Sequence, residues 1–213
     1  MKQLISRAAD PTGDFPDRLA HPIFALLGFR GVVAEHTALE ESTLQKHAAG
    51  CQAIVEVGVY EGASAAALRR VAHPDGLLFL IDPYVGGRIP WLNLRKQVAQ
   101  RHVDTVKNAR VQWLQEYSHD ASISWSRPID FLFIDADHSY EASMRDWKEW
   151  SPFVVRGGCV AMHDARIFPG GWTTSTTGSV RAANELFRVS PNTEWSIVEE
   201  VDSLVIVRRN LSA

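Results

Sequence analysis

From residue 51 onward the chain alternates short apolar runs with helical stretches of roughly 10–15 residues, the signature of successive β-α-β units. The runs are CQAIVEVGV (51–59), GLLFLIDPY (76–84), ARVQWLQEYS (109–118), IDFLFIDAD (129–137) and GGCVAMHDA (157–165). Strands this apolar must be covered on both faces, and the run at 129–137, the most hydrophobic, belongs at the centre of a parallel sheet. The tail EWSIVEEVDSLVIVRR carries two more strands around a polar turn, an antiparallel pair at one sheet edge. The fold expected is α/β: a doubly wound, mostly parallel seven-stranded sheet with an antiparallel terminal strand and a short N-terminal cap.

Helices are expected at 63–73, 91–103, 139–154 (closed near Pro152) and 180–189. Another spans 37–50, where Thr37 and Glu40 form a capping box and Gly50 stops the helix. Residues 1–36 read as an irregular or short-helical segment around the apolar patch IFALLGF. The boundaries that follow are a cap at 1–48 and a ligand-binding domain at 49–213, together one domain.

Composition narrows the function classes. A chain of 213 residues with 46% hydrophobic content can bury one sizeable core. A net charge of -3 supplies no basic face for nucleic acid or an anionic membrane. No run is long enough to span a bilayer, and the first residues lack the apolar stretch of a secretion signal. Cys51 and Cys159 lie far apart in unlike contexts, so no disulfide framework is expected, and Cys159 inside its strand should be an inert apolar residue. These readings point to a cytoplasmic protein that handles a small molecule, without a nucleic-acid or membrane partner; whether it forms a homo-oligomer is left open.

Three of the apolar runs stop at a carboxylate, in LLFLID, FIDADH and CVAMHD. Acids gathered at buried strand ends are costly unless a positive group, or a group being deprotonated, sits among them. In doubly wound sheets ligands bind outside the carboxyl ends of the strands. The first run ends EVGVYEGAS, where Gly58 and Gly62 allow a sharp turn and close approach to a ligand. The helix beginning near Ser64 points its positive end into that crevice. Asp82 closes the next strand about twenty residues later, where an acid accepts hydrogen bonds from ribose hydroxyls. Together these suggest an adenosine-type cofactor; the plainer alternative is a turn whose glycines and Asp82 serve only structure.

Glu56-Val-Gly58-Val-Tyr60-Glu-Gly62 resembles the first motif of class I S-adenosylmethionine-dependent methyltransferases, and FIDADHSYE followed by GGCVAMHD resembles the small-molecule branch that includes the macrocin and mycinamicin sugar O-methyltransferases. The resemblance covers roughly residues 50–208. It implies that Gly58, Tyr60, Gly62 and Ser64 surround the methionine part of S-adenosylmethionine, that Asp82 faces the ribose, and that Glu56 meets the cofactor's amino group or braces the loop. Ser118, in EYSHD beside Asp120, falls on the adenine side, though an ordinary turn serine reads equally well. Asp135 counts both as a cofactor contact and as a ligand of a divalent metal, Mg or Mn. His138, three residues on, takes the place of the general base.

At one position the chain departs from that branch. The relatives end the fifth strand with two adjacent carboxylates, and here the pair is His163-Asp164. Either Asp135, His163 and Asp164 hold a softer metal, or Asp135 and Asp164 hold Mg with more water, or no metal binds and His138 or His163 alone is the base. Asp137 and Ser139 read as caps of the helix from Tyr140, and Met144, Trp147 and Trp150 as core. Residues 1–48 and 166–180, including the Trp172 loop, are expected to form the acceptor site. Two other classes stay in view: a metal-dependent nucleotide-sugar glycosyltransferase, from the Asp135-x-Asp137 spacing, and a protein that binds the cofactor without catalysis. A nicotinamide dehydrogenase fits less well, because Val59-Tyr60 omits its middle glycine.

Overall fold

The structure is a computed structural model that describes residues 5–6, 15–85, 93–189 and 193–211, with backbone alone for those before residue 21. Alternate residues of each apolar run face opposite helical layers. Ile54, Leu78, Leu80, Phe131 and Phe133 pack into one core, while Val55, Phe79, Ile81, Leu132 and Ile134 pack into the other. Burial on both faces is what the unbroken apolar runs require.

The N-terminal part places β1 (Ile5–Ser6) parallel to β2 (Val33–Ala34), with α1 (Phe15–Leu26) between them. Next come α2 (Ala38–Ala48), β3 (Ala53–Val57), α3 (Ala63–Val71), β4 (Leu77–Ile81), α4 (Leu94–Val103) and β5 (Arg110–Leu114). A six-residue helix, α5 (Ser118–Ile123), precedes β6 (Ile129–Ile134) and α6 (Tyr140–Trp150). A single tight turn at Ser151–Phe153 leads into β7 (Val154–Met162). Then follow α7 (Gly178–Asn184), which closes in a wider turn at Glu185–Val189, and the hairpin β8 (Trp195–Val201) and β9 (Leu204–Arg209).

The sheet order is β5-β4-β3-β6-β7-β9-β8, with β9 antiparallel to both neighbours and the rest parallel. This is the doubly wound, seven-stranded arrangement read from the sequence. Helix α2 carries the expected capping box: Thr37 Oγ1 accepts from Glu40 N, and Glu40 Oε2 accepts from Thr37 N at 2.7 Å. Ser139 caps α6, and Trp147 and Trp150 are core.

Two details differ from expectation. Helix α5 is too short for a 3.6-residue periodicity to reveal. Strand β7 starts three residues before Gly157, because a register shift in its pairing with β6 admits Val154 to the ladder. Within the segment read as irregular or short-helical, α1 forms a three-turn helix despite Pro22. Trp91 and Leu92, expected to open α4, lie outside the described residues.

Candidate active site

Register brings the strand ends together. Val57 pairs with Ile81 and Ile134, and Ile134 pairs with Met162, so Gly58, Asp82, Asp135 and His163 all emerge at one edge of the sheet. The ladder runs one residue further: Gly58 N donates to Ile81 O, Asp135 N to Val57 O and His163 N to Ile134 O, at 2.8–3.0 Å. A cavity of about 450 Å³ opens there, within the range of small-molecule sites. Its wall includes Gly58, Tyr60, Ser64, Asp82, Ser118, Asp135 and His138.

The glycine loop is held by Asp82. Its Oδ2 accepts from Val59 N and Tyr60 N at 3.0 Å each, and its Oδ1 from Tyr84 N at 2.7 Å. Asp82 is thus a clamp on the loop as well as a cavity residue. Gly58 has φ +88, and a Cβ there would lie 2.0 Å from the Asp135 carbonyl oxygen. Only a residue without a side chain lets the loop lie against the end of β6.

Gly62 does not take the place expected around the cofactor, and Glu56 takes the bracing one of its two expected roles. Gly62 packs against α4, where a Cβ would meet Val103 and Ala99 at 3.0–3.2 Å, and it does not line the cavity. Glu56 is fully buried beneath the loop, because its position on β3 points toward the α2–α3 layer. Its Oε1 accepts from Ser64 Oγ at 2.5 Å, and its Oε2 has no partner among the described residues. Burial raises the Glu56 carboxyl well above the usual range, and through Ser64 it braces the start of α3. On the opposite wall Ser118 Oγ donates to Asp146 at 2.7 Å and accepts from Trp150 Nε1 at 2.8 Å. That fixes Ser118 on the cavity wall.

The acids and imidazoles form one cluster. His163 Nδ1 lies 3.0 Å from Asp135 Oδ1 and 3.4 Å from Asp164 Oδ2, and its Nε2 faces Glu40 Oε2 at 3.4 Å. His138 Nε2 reaches Asp164 Oδ2 from the open side at 3.5 Å. His138 is 31% exposed and His163 only 3%. Asp135 and His138 line the cavity, with His163 and Asp164 one layer behind. Burial works to raise the Asp135 carboxyl, but His163 outweighs it and holds it low. Burial likewise works to lower His163, yet Asp135 and the other carboxylates hold it well above an ordinary histidine. Asp164 sits at φ +49, a left-handed backbone that costs a non-glycine residue about 1 kcal/mol. Ser179 Oγ, donating to its carbonyl at 2.6 Å, and Ser203 Oγ, accepting from its N–H at 3.3 Å, keep it there.

The donor set suits a divalent cation. Ligands at about 2.0–2.2 Å from an ion stand roughly 3.0–3.5 Å from one another, and the His163–Asp135, His163–Asp164 and His138–Asp164 separations fall in that range. Ligand atoms of Asp135, His138 and Asp164 all lie within 4.8 Å of each other. This group has His138 in place of His163, where Asp135, His163 and Asp164 were expected. Glu40, Asp135 and Asp164 place three carboxylates around one buried imidazole, more negative charge than one proton offsets.

The cap supplies groups that motif reading did not single out. Val33, Glu35 and His36 line the cavity, and Glu40 enters the cluster from α2. The Trp172 ring sits edge-on to His138, with centroids 5.5 Å apart. Cys159 is buried in the core, where His47 and Arg208 outweigh burial and lower its thiol pKa.

Residues 55–165, just over half of the chain, match the family model described as a methyltransferase domain. The chain belongs to that family. A protein of Corynebacterium glutamicum, 16% identical, superposes with a TM-score of 0.67 over 95% of this chain and 93% of that one. An O-methyltransferase from Streptomyces achromogenes involved in tomaymycin synthesis, solved in complex with S-adenosylmethionine, is 15% identical with a TM-score of 0.62, over 90% and 89%. These likenesses are of fold. "Uncharacterized protein R132" of Acanthamoeba polyphaga mimivirus is 27% identical over 115 residues, 52% of this chain and 50% of that protein. The chain thus spans about half the length of the curated relative it matches. Among the described residues no helix is long and apolar enough to cross a membrane.

Proposed function

We propose that this protein transfers the methyl group of S-adenosylmethionine to a hydroxyl oxygen of a small molecule, such as a sugar, a polyol or a secondary metabolite, with a histidine base and a divalent cation. The observation that carries the proposal is the single cavity that joins the glycine loop and Asp82 to Asp135 and His138.

S-adenosylmethionine supplies an electrophilic methyl carbon and leaves as the neutral thioether. The loop at 58–60 and Ser118 would hold its two ends, with Asp82 fixing the loop and offering its remaining lone pairs to ribose hydroxyls. Val33, Glu35 and His36, also on the cavity wall, would face the acceptor. An alcohol is a poor nucleophile until it loses its proton, because its pKa is near that of water, about 15.7. A divalent cation held by the Asp135 and Asp164 carboxylates, with His138 beside it rather than on it, would polarise that hydroxyl and lower its pKa. His138, the exposed imidazole, takes the proton as the oxygen–carbon bond forms and the carbon–sulfur bond breaks. The Trp172 ring keeps His138 facing the cavity.

Calorimetry with S-adenosylhomocysteine, NAD and UDP separates this reading from its rivals. Micromolar binding of S-adenosylhomocysteine, with no heat from the other two, is expected. Binding of UDP alone would move the Asp135-x-Asp137 pair to a glycosyl transfer site and end the proposal.

A further inference from the structure

The cavity has a second end, away from the acids that would face the acceptor. The sheet order β5-β4-β3-β6 lines up Ser118, which opens α5 just after β5, then Asp82, Gly58 and Asp135 along one edge. With the ribose at Asp82 and the methyl carbon directed at Asp135 and His138, the base of the cofactor falls at the end walled by Tyr117, Ser118, Arg145 and Asp146. There Ser118 Oγ spends its only proton on Asp146 Oδ1, at 2.7 Å, and accepts from Trp150 Nε1 at 2.8 Å. That hydroxyl has no proton left for a ligand.

Asp146, on α6, is 2% exposed and yet lines the cavity. Ser118 occupies its Oδ1, and its Oδ2 has no hydrogen-bond partner among the described residues. A carboxylate so deeply buried is costly with a single donor. Burial works to raise it above the usual range, and the Ser118 hydroxyl offsets this only in part. The missing donor has to come from what fills the cavity. Adenine offers one in its exocyclic amino group, whereas a hypoxanthine base carries a carbonyl oxygen at that place. We infer that Asp146 is the residue that selects the base of the cofactor: its Oδ2 accepts from the adenine amino group, and Ser118 is a positioning residue that aims it. This rests on the S-adenosylmethionine reading above. A carbonyl in place of the amino group would set two acceptors face to face with no proton between them.

Calorimetry on the full chain with S-adenosylhomocysteine and S-inosylhomocysteine, which differ in that one exchange of amino group for carbonyl, tests the inference. Wild type is expected to prefer S-adenosylhomocysteine by about 10–100-fold. Asp146→Asn keeps the shape and the Ser118 contact but turns an amide N–H toward the base, so the preference should vanish or reverse. Ser118→Ala keeps the carboxylate, removes the hydroxyl that aims it, and should shrink the preference. An Asp146 that only supported the fold would weaken both ligands alike and leave their ratio as in wild type. Equal binding of the two ligands by wild type, or a ratio unchanged in either variant, would overturn the inference and leave the cofactor assignment intact. Failure of wild type to bind S-adenosylhomocysteine at all would bring down the cofactor reading, and the inference with it.

Discussion

Removing the charge of Glu40 should cost this protein stability in a pH-dependent way. Burial works to raise the carboxyl, but the hydrogen bond and attraction of His163, with the bonds from Thr37 and Ser203, bring it from 4.5 to about 2. At 1.36 kcal/mol for each pH unit, the difference amounts to about 3 kcal/mol. Glu40 is 1% exposed, so solvent screening does little to reduce that figure. Its folded-state pKa is depressed, so the contribution is complete above pH 4.5, shrinks as the pH falls, and is gone near pH 2. Glu40→Gln unfolded by urea in chelator at pH 7 should lose about 3 kcal/mol, a Tm lowered by roughly 6–12 °C for a chain of this size. The gap between the two proteins should narrow below pH 4.5. A gap that stays constant from pH 7 to pH 3, or a variant as stable as wild type, would refute the reasoning.

Other outcomes follow from the same geometry. Gly58→Ala must place a methyl group 2.0 Å from the Asp135 carbonyl at φ +88; a loss of about 2–4 kcal/mol in urea unfolding is expected, together with weakened binding of S-adenosylhomocysteine in calorimetry. His138→Ala should keep cofactor affinity and lower kcat by about 10²–10⁴-fold, and unchanged turnover would pass the base to His163. Chelation with EDTA should abolish methyl transfer and added divalent ion restore it, whereas full activity in chelator would take the metal out of the mechanism.

Much of the fold was legible because the central strands are apolar runs, and the strand register then gathers Gly58, Asp82, Asp135 and His163 without further instruction. Gly62 shows the limit of motif spacing. It belongs to the motif but faces α4, which spacing along the chain cannot register. Glu40 was visible only as a capping residue, a role that accounts for it locally. Its partner His163 lies 123 residues away and no local pattern links the two. The wall formed by Val33, Glu35 and His36 comes from a stretch without periodicity, so its place at the cavity depends on how β2 pairs and α2 docks.

A crystal structure with S-adenosylhomocysteine bound is the most direct test of where this chain carries out its chemistry. The ligand should lie along the Gly58 loop with its ribose at Asp82 and its sulfur toward Asp135 and His138. A ligand seated elsewhere on the surface, with that cavity closed to it, would contradict the account.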